Sequence, residues 1–310
     1  MPLAEDDLKT TPGDATDPNG IDYAGCVGTH DIVLLTLDAL RFDTAVAARE
    51  QGRTPVLDRL LPEWEPRHAP GSFTYASHAA LFAGFWPTPV SPGSDAVRPF
   101  AVRGVASRSV GRRTARLRGQ TIIEGLAARG YATACIGGVG FFDTATPLGA
   151  VFPSLFESSQ WEPSFGPTSR EASRRQCRAA AKVASTADRT RPLLLFMNLS
   201  ATHQPTRIFA DGPAEESVAT QVDALADVDR HLPTLLDALA ERSRPSLLMV
   251  MSDHGTSFGD DGYTGHRVGH PVVWTVPYAE TVASPADLLA ASQGRGGTVT
   301  TPNDPPAGIG

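Results

Sequence analysis

Three runs constrain the fold more than anything else in this chain: DIVLLTLDA (31–39), PLLLFMNLS (192–200) and PSLLMVMSD (245–253). Each is apolar without the in–out alternation of a half-exposed strand, so each is expected to be a strand buried on both faces. A sheet buried on both faces needs helices on both, and helical patterns stand between the runs. TIIEGLAARG (121–130) predicts a helix closed by Gly130 and followed by the strand YATACIGG, and the stretch 214–243 predicts a long amphipathic helix. The expected fold class is α/β: a doubly wound, mostly parallel sheet with helices on both faces, in one compact domain.

The 310 residues, 41% of them hydrophobic, suffice for a full core. Residues 1–24 and 291–310 are polar and rich in turn formers, and read as disordered tails around a domain at 25–290. The start of the chain lacks the basic-then-apolar pattern of an export signal, and no window reaches the roughly 18 apolar residues of a membrane span. A soluble, cytoplasmic protein without membrane contact is therefore expected. With 34 acidic against 27 basic side chains the net charge is -7, which argues against bulk attraction to nucleic acid. Cys26, Cys135 and Cys177 are far apart and form no CxxC pair, so free thiols are expected rather than disulfides or a thiolate zinc site. One segment stands apart in charge: 87–119 carries Arg98, Arg103, Arg108, Arg112, Arg113, Arg116 and Arg118 against the single acid Asp95. It fits either a lid that meets an anionic substrate or a solvated insertion, and a nucleic-acid contact is the weakest reading.

In sheets of this kind ligands bind beyond the carboxyl ends of the strands. There the first run delivers Asp38, the second leads to Asn198, Ser200, Thr202 and His203, and the third ends in Ser252, Asp253, His254 and Gly255. Between them, HAPGSFTYASHAALFAGFWP (68–87) turns at Pro70 and Gly71 and enters a helix that Gly84 ends. Ser72 and Thr74 precede its helical run; a hydroxyl there is ordinarily a cap, yet a helix N-terminus is also a ready anion site. Carboxylate and imidazole side by side at 253–254 suit zinc or manganese.

This ordered set resembles the alkaline phosphatase and sulfatase superfamily of metal-dependent phosphate and sulfate ester enzymes, over residues 30–280. The resemblance is nearest to a group of sulfatase-like bacterial hydrolases through GTHDIVLLTLDALRFD, GSFTYASH and DGYTGHRVGHPVVWTVPYAE. It implies an alkaline-phosphatase-like fold, with Thr74 as nucleophile and Asp38, Thr74, Asp253 and His254 as ligands of one zinc or manganese ion. It further implies that His203 and His266 contact the substrate and assist catalysis. Sulfatases need Cys or Ser at the nucleophile for conversion to formylglycine, and hold a second Asp and a late Asn where this chain has Ala39 and His254. The implied substrate is thus a phosphate or phosphonate ester, small or peptide-linked, hydrolysed or transferred through a phosphothreonine, with phosphodiesters favoured. Relatives of this kind look like partners of radical-SAM and ATP-grasp enzymes in bacterial pathways, so neighbouring pathway enzymes are expected partners. The rival reading is a non-catalytic sulfatase-like partner protein.

Two-metal members add an Asp-x-x-x-His pair and a further late His. Asp227 and His231 have that spacing, but within the stretch expected to be helical, where they read as an intrahelical pair. A second metal would need them or His270. His30, His68 and His78 read as structural.

Overall fold

A computed structural model of the protein describes residues 20–84 and 121–294. The arginine-rich segment 87–119, apart from its surroundings in charge, lies outside the described residues. The strands are β1 (Asp31–Leu37), β2 (Glu65–His68), β3 (Ala132–Ile136), β4 (Ser158–Gln160), β5 (Leu193–Leu199), β6 (Ser246–Met251), β7 (Ser257–Phe258), β8 (Thr264–Gly265) and β9 (Thr275–Ala283). The α-helices are α1 (Tyr23–Cys26), α2 (Phe42–Glu50), α3 (Pro55–Leu60), α4 (Thr74–Ala83), α5 (Ile122–Ala128), α6 (Ala172–Thr186), α7 (Val218–Ala240), α8 (Pro271–Trp274) and α9 (Pro285–Ser292).

The main sheet runs β2-β9-β6-β1-β5-β3-β4. β1 lies parallel to β5 on one side and to β6 on the other, and β3 and β4 continue in the same sense. β9 is antiparallel to β6 and to β2, and β2 finishes that edge. The expected mostly parallel α/β sheet is what forms. The antiparallel edge carries no comparable apolar run: β2 is EPRH, exposed apart from the partly buried Glu65, and one strand partner suffices for it.

All of β1 is buried, yet its alternate residues enter different cores. Val33, Leu35 and Leu37 pack with residues of α2, α3, α6, α7 and α9. Ile32 and Leu34 pack with α4, α5 and the aromatic cluster of Phe141, Phe142, Phe152, Phe156 and Phe196. Each such side chain contributes about 1.5–3 kcal/mol on burial, which is why none of the three runs has room for a polar alternation. α5 starts with a reciprocal capping box between Thr121 and Glu124. α7 carries Pro233 in its interior, so the amphipathic stretch stays helical through a residue that lacks an amide donor. Asp229 on the same helix accepts hydrogen bonds from the amides of Val56 (3.1 Å) and Leu57 (2.8 Å), capping α3 across the core.

The folded chain begins earlier than the composition indicated. Residues read as tail up to 24 include the start of α1, whose Tyr23 hydroxyl donates to the buried Glu280 on β9 at 2.5 Å. Cys26, Cys135 and Cys177 are buried free thiols. Among the described residues, no helix is long and apolar enough to cross a membrane.

At the amino end of β1 the buried Asp31 accepts from Arg242 Nε at 2.6 Å and from the Leu193 amide at 2.7 Å. Removing Arg242 would leave this buried carboxylate with only the partly exposed Arg244, 3.7 Å from its Oδ1. Arg242→Met is expected to lower the unfolding free energy by about 3 kcal/mol in urea titrations. Divalent-metal binding should survive at low denaturant, because this pair sits at the opposite end of β1 from the residues described next.

Candidate active site

The last registered pair of β1 and β6 is Thr36 with Met251. Two residues further along each strand lie Asp38 and Asp253, so parallel pairing by itself delivers two carboxylates to one place on the rim. His254 follows Asp253, and Thr74 opens α4, which packs on the sheet face that carries Ile32 and Leu34. The nitrogen and oxygen donor atoms of Asp38, Asp253 and His254 lie within 4.8 Å of one another, all buried. Thr74 Oγ1 is 3.5 Å from Asp38 Oδ2 and 3.4 Å from His254 Nε2. The residues that the resemblance implied as one ligand set are thus brought together from three elements.

α4 starts one residue before the helical run read from the sequence. Phe73 is the N-cap, no side chain caps the helix, and Thr74 is its first residue rather than a cap. Its hydroxyl is therefore directed at the acidic cluster instead of being turned back on the backbone.

The donor set fits a divalent cation. His254 Nδ1 lies 2.9 Å from the Gly255 carbonyl, which only accepts, so Nδ1 carries the proton and the Nε2 lone pair is free. That lone pair faces Asp253 Oδ2 at 3.6 Å and Asp38 Oδ1 at 3.8 Å. Both of these carboxylate oxygens are buried and without a hydrogen-bond partner among the described residues. Three acceptors converge with no proton between them, a cost that a cation removes. Burial, then Asp253, pushes the Asp38 pKa up to about 6, and burial pushes Asp253 up to about 7. Burial also holds His254 down at about 4, so it is neutral and able to ligate.

The other oxygens of the two carboxylates are held firmly. Asp38 Oδ2 accepts from Asn198 Nδ2 at 2.9 Å, while Asn198 Oδ1 accepts from the Val139 amide at 3.1 Å. Gly138 makes this possible, since a Cβ there would overlap Asn198. Asp253 Oδ1 accepts from the amides of His254 (3.0 Å) and Ala39 (3.1 Å). Ala39 reaches it with φ 60, a left-handed conformation costly for an L-residue, and Gln221 Nε2 donates to its carbonyl at 2.9 Å. His78, read from the sequence as structural, lies directly beneath the site. Its Nδ1 donates to the Thr74 carbonyl at 2.8 Å, its Nε2 faces Thr36 Oγ1 at 3.1 Å, and its ring packs edge-on against Phe82, Phe142 and Phe196. Asn198, Gln221 and His78 were not singled out as site residues; only Asn198, at a strand end, carried any sequence signal.

His203 and His266 extend the site outward. The rings of His254 and His266 are 4.7 Å apart and those of His266 and His203 are 5.2 Å apart, so the imidazoles form a row from the interior to the rim. Burial, then the neighbouring His254 and His203, lowers His266 to about 2, which keeps it neutral. His270 instead caps α8 and contacts Asp261 at 3.1 Å. Asp227 and His231 face each other on α7 at 3.7 Å and belong to no metal-binding group among the described residues. They are the intrahelical pair that their position in an amphipathic stretch suggested.

The sequence pattern of the sulfatase family matches residues 30–278, a span that includes every residue of this cluster. The chain belongs to the sulfatase family. Solved structures show the same fold, among them one described as a member of the alkaline phosphatase superfamily. A superfamily member from Vibrio parahaemolyticus is 21% identical, with TM-score 0.53, over 83% of this chain. The chain spans only 62% of that protein's length. The periplasmic domain of EptC from Escherichia coli, in complex with zinc, is 14% identical with TM-score 0.56, covering 89% of this chain and 77% of that one. The soluble domain of lipooligosaccharide phosphoethanolamine transferase A from Neisseria meningitidis is 13% identical with TM-score 0.59, covering 83% and 78%. At these identities the likeness is one of fold. No curated protein matches the sequence.

The raised pKa values give a pH signature with a definite sign. Asp38 and Asp253 stand at about 6 and about 7 in the folded chain against an ordinary 3.8, so at these two groups the ion-free fold binds more protons than the unfolded chain. Their contribution to stability falls as pH rises from about 4 to about 7, while the lowered His254 and His266 contribute with the opposite sign below about 6.5. Zinc or manganese competes with the carboxyl protons and should raise the melting temperature by several degrees at pH 8 and far less at pH 5. Differential scanning fluorimetry with and without a chelator checks this, and Asp253→Ala should abolish the metal-dependent part.

Proposed function

We propose that this sulfatase-family protein is a metal-dependent hydrolase or phosphotransferase acting on phosphate or phosphonate esters, with Thr74 as the nucleophile. The observation that carries the reading is the position of Thr74 Oγ1, 3.5 Å from Asp38 Oδ2 and 3.4 Å from His254 Nε2, beside two carboxylate oxygens that lack partners. A secondary alcohol cannot become the aldehyde that sulfate-ester chemistry requires, which favours phosphorus over sulfur.

Asp38, Asp253, His254 and Thr74 would hold one zinc or manganese ion. When bound, it lowers the pKa of an adjacent hydroxyl and draws charge from a phosphoryl oxygen. Thr74 Oγ1 attacks phosphorus in line with the leaving oxygen, its proton passing toward Asp38 Oδ2. The Oγ1–P bond forms as the bond from phosphorus to the leaving oxygen breaks, giving phosphothreonine. The uncapped N-terminus of α4 supplies amide donors and a positive dipole beside the developing charge. His266, neutral in the free site, donates an N–H to a phosphoryl oxygen, and His203 at the rim relays a proton from solvent to the leaving oxygen. Water or an acceptor alcohol then takes the phosphoryl group and restores Thr74. The Neisseria meningitidis neighbour is a phosphoethanolamine transferase and the Escherichia coli one was solved with zinc, which supports transfer and metal use here as a reading. A cytoplasmic setting among pathway enzymes belongs to the same proposal; buried unpaired cysteines suit a reducing compartment.

Thr74→Ala should lower turnover of bis(4-nitrophenyl) phosphate or a 4-nitrophenyl phosphonate ester by roughly a thousandfold or more, with Thr74→Ser retaining part. Acid quenching followed by peptide mass spectrometry should find phosphate on Thr74. Faster turnover of 4-nitrophenyl sulfate than of both phosphorus esters would overturn the choice of phosphorus.

A further inference from the structure

One cation at the rim is left over by this chemistry. Arg41, the nearer arginine in sequence to Asp38, is fully engaged: its guanidinium bonds Asp43 at 2.6 and 2.8 Å and Asp260 at 2.7 Å. Arg267 has no carboxylate partner and no side-chain hydrogen bond among the described residues. Partial burial lowers its pKa, and no acid among the described residues opposes this.

Arg267 is nevertheless held in place. Its backbone is left-handed, with φ 72, and its amide donates to the Ser72 carbonyl at 2.8 Å. Its guanidinium carbon lies 4.8 Å from the centroid of the Phe73 ring. Phe73 in turn packs against Phe141, with ring centroids 6.4 Å apart. A bulky residue in a left-handed conformation persists only where the surroundings over-determine it, and such residues gather at functional sites. The tether joins the loop after His266 to the residues before Thr74, and the guanidinium sits over Phe73, the residue next to Thr74.

We infer that Arg267 binds a second anionic group of the substrate, a carboxylate or a further phosphate carried beside the scissile ester. The inference rests on the proposed ester chemistry and narrows it to substrates with at least two negative charges. A guanidinium with one face on an aromatic ring keeps its edge of N–H donors free, and that edge matches a carboxylate or phosphate in bidentate fashion. The ion that Asp38, Asp253, His254 and Thr74 would hold, together with His266, would answer the charge of the reacting phosphoryl group. Arg267, beside His266, is a positive charge without a counter-ion among the described residues.

The test is calorimetric titration of the zinc-loaded full chain with phenylphosphonate and with its 3-carboxy and 4-carboxy derivatives, none of which has an ester bond to cleave. At least one carboxylated probe should bind roughly tenfold more tightly than phenylphosphonate, as a charge-assisted hydrogen-bonded pair implies. That ratio should fall to near one in Arg267→Ala, with Arg267→Lys retaining part of it and melting curves verifying that both variants fold. Phenylphosphonate binding with no carboxylate preference, or a preference that survives in Arg267→Ala, would overturn the role of Arg267 alone. Failure of all three probes to bind the unsubstituted protein would remove the phosphoryl site itself and this proposal with it.

Discussion

Two carboxylates forced together out of water are the constraint on which the rest of this molecule turns. Asp38 and Asp253 sit at the ends of neighbouring parallel strands, both buried, each with one oxygen that finds no hydrogen-bond donor among the described residues. Burial raises both pKa values, the direction expected when ionisation has no compensating partner. A fold selected for stability alone would fill those places with apolar residues of similar size. The surrounding structure instead spends buried hydrogen bonds on keeping the carboxylates oriented: Asn198 on one, the amides of Ala39 and His254 on the other.

The scaffold around this pair is built for rigidity. β1 is the central strand, fully buried, with one core on each face, so the residue that follows it cannot shift without disturbing both. Gln221 ties the β1 rim to the β5 rim by donating to the carbonyls of Ala39 and Thr202, each at 2.9 Å. Arg41 fastens the loop after β6 through Asp260. Of the four non-glycine residues with positive φ among the described residues, Ala39, Asp261 and Arg267 lie on this side of the sheet, and Ser243 precedes β6 at the other end. Local backbone strain of about 1–3 kcal/mol per residue is held there by packing elsewhere.

Much of this was legible in the sequence because burial on two faces leaves a signature that few other structures share. The unbroken apolar runs gave the parallel core, and the polar residues that interrupt them marked the rim. Ligand types were readable as well, since an Asp after an early strand and an Asp-His after a late one occur in a specific order. What was not legible follows from the same physics. The edge strand β2 needs only a single partner and carries no apolar run, and the neighbouring β9 is broken by Pro277 and Glu280, so neither was visible as a strand. His78 reads as one imidazole in an alanine-rich helix, and nothing in its neighbours in sequence shows that its ring will lie under Asp253. Ala39 gives no sign of a left-handed backbone, because that conformation is imposed by the hydrogen bonds at its two ends.

The sequence by itself determined which residues could carry chemistry and on which side of the sheet they would emerge, because strand order of burial and the Asp, Thr and His types at the run-outs are local properties. Only the tertiary structure decided which of them meet. Asp227 and His231 have the spacing of a metal pair but share one helix and join no metal-binding group among the described residues, whereas Asp38, Thr74 and Asp253 are far apart in sequence and converge. It also decided protonation and direction: burial sets the carboxyls high and the imidazoles low, the Gly255 carbonyl turns the His254 lone pair inward, and the start of α4 at Thr74 turns a would-be cap into a hydroxyl aimed at the site. These are sums over neighbours from several strands, and no window of sequence contains them.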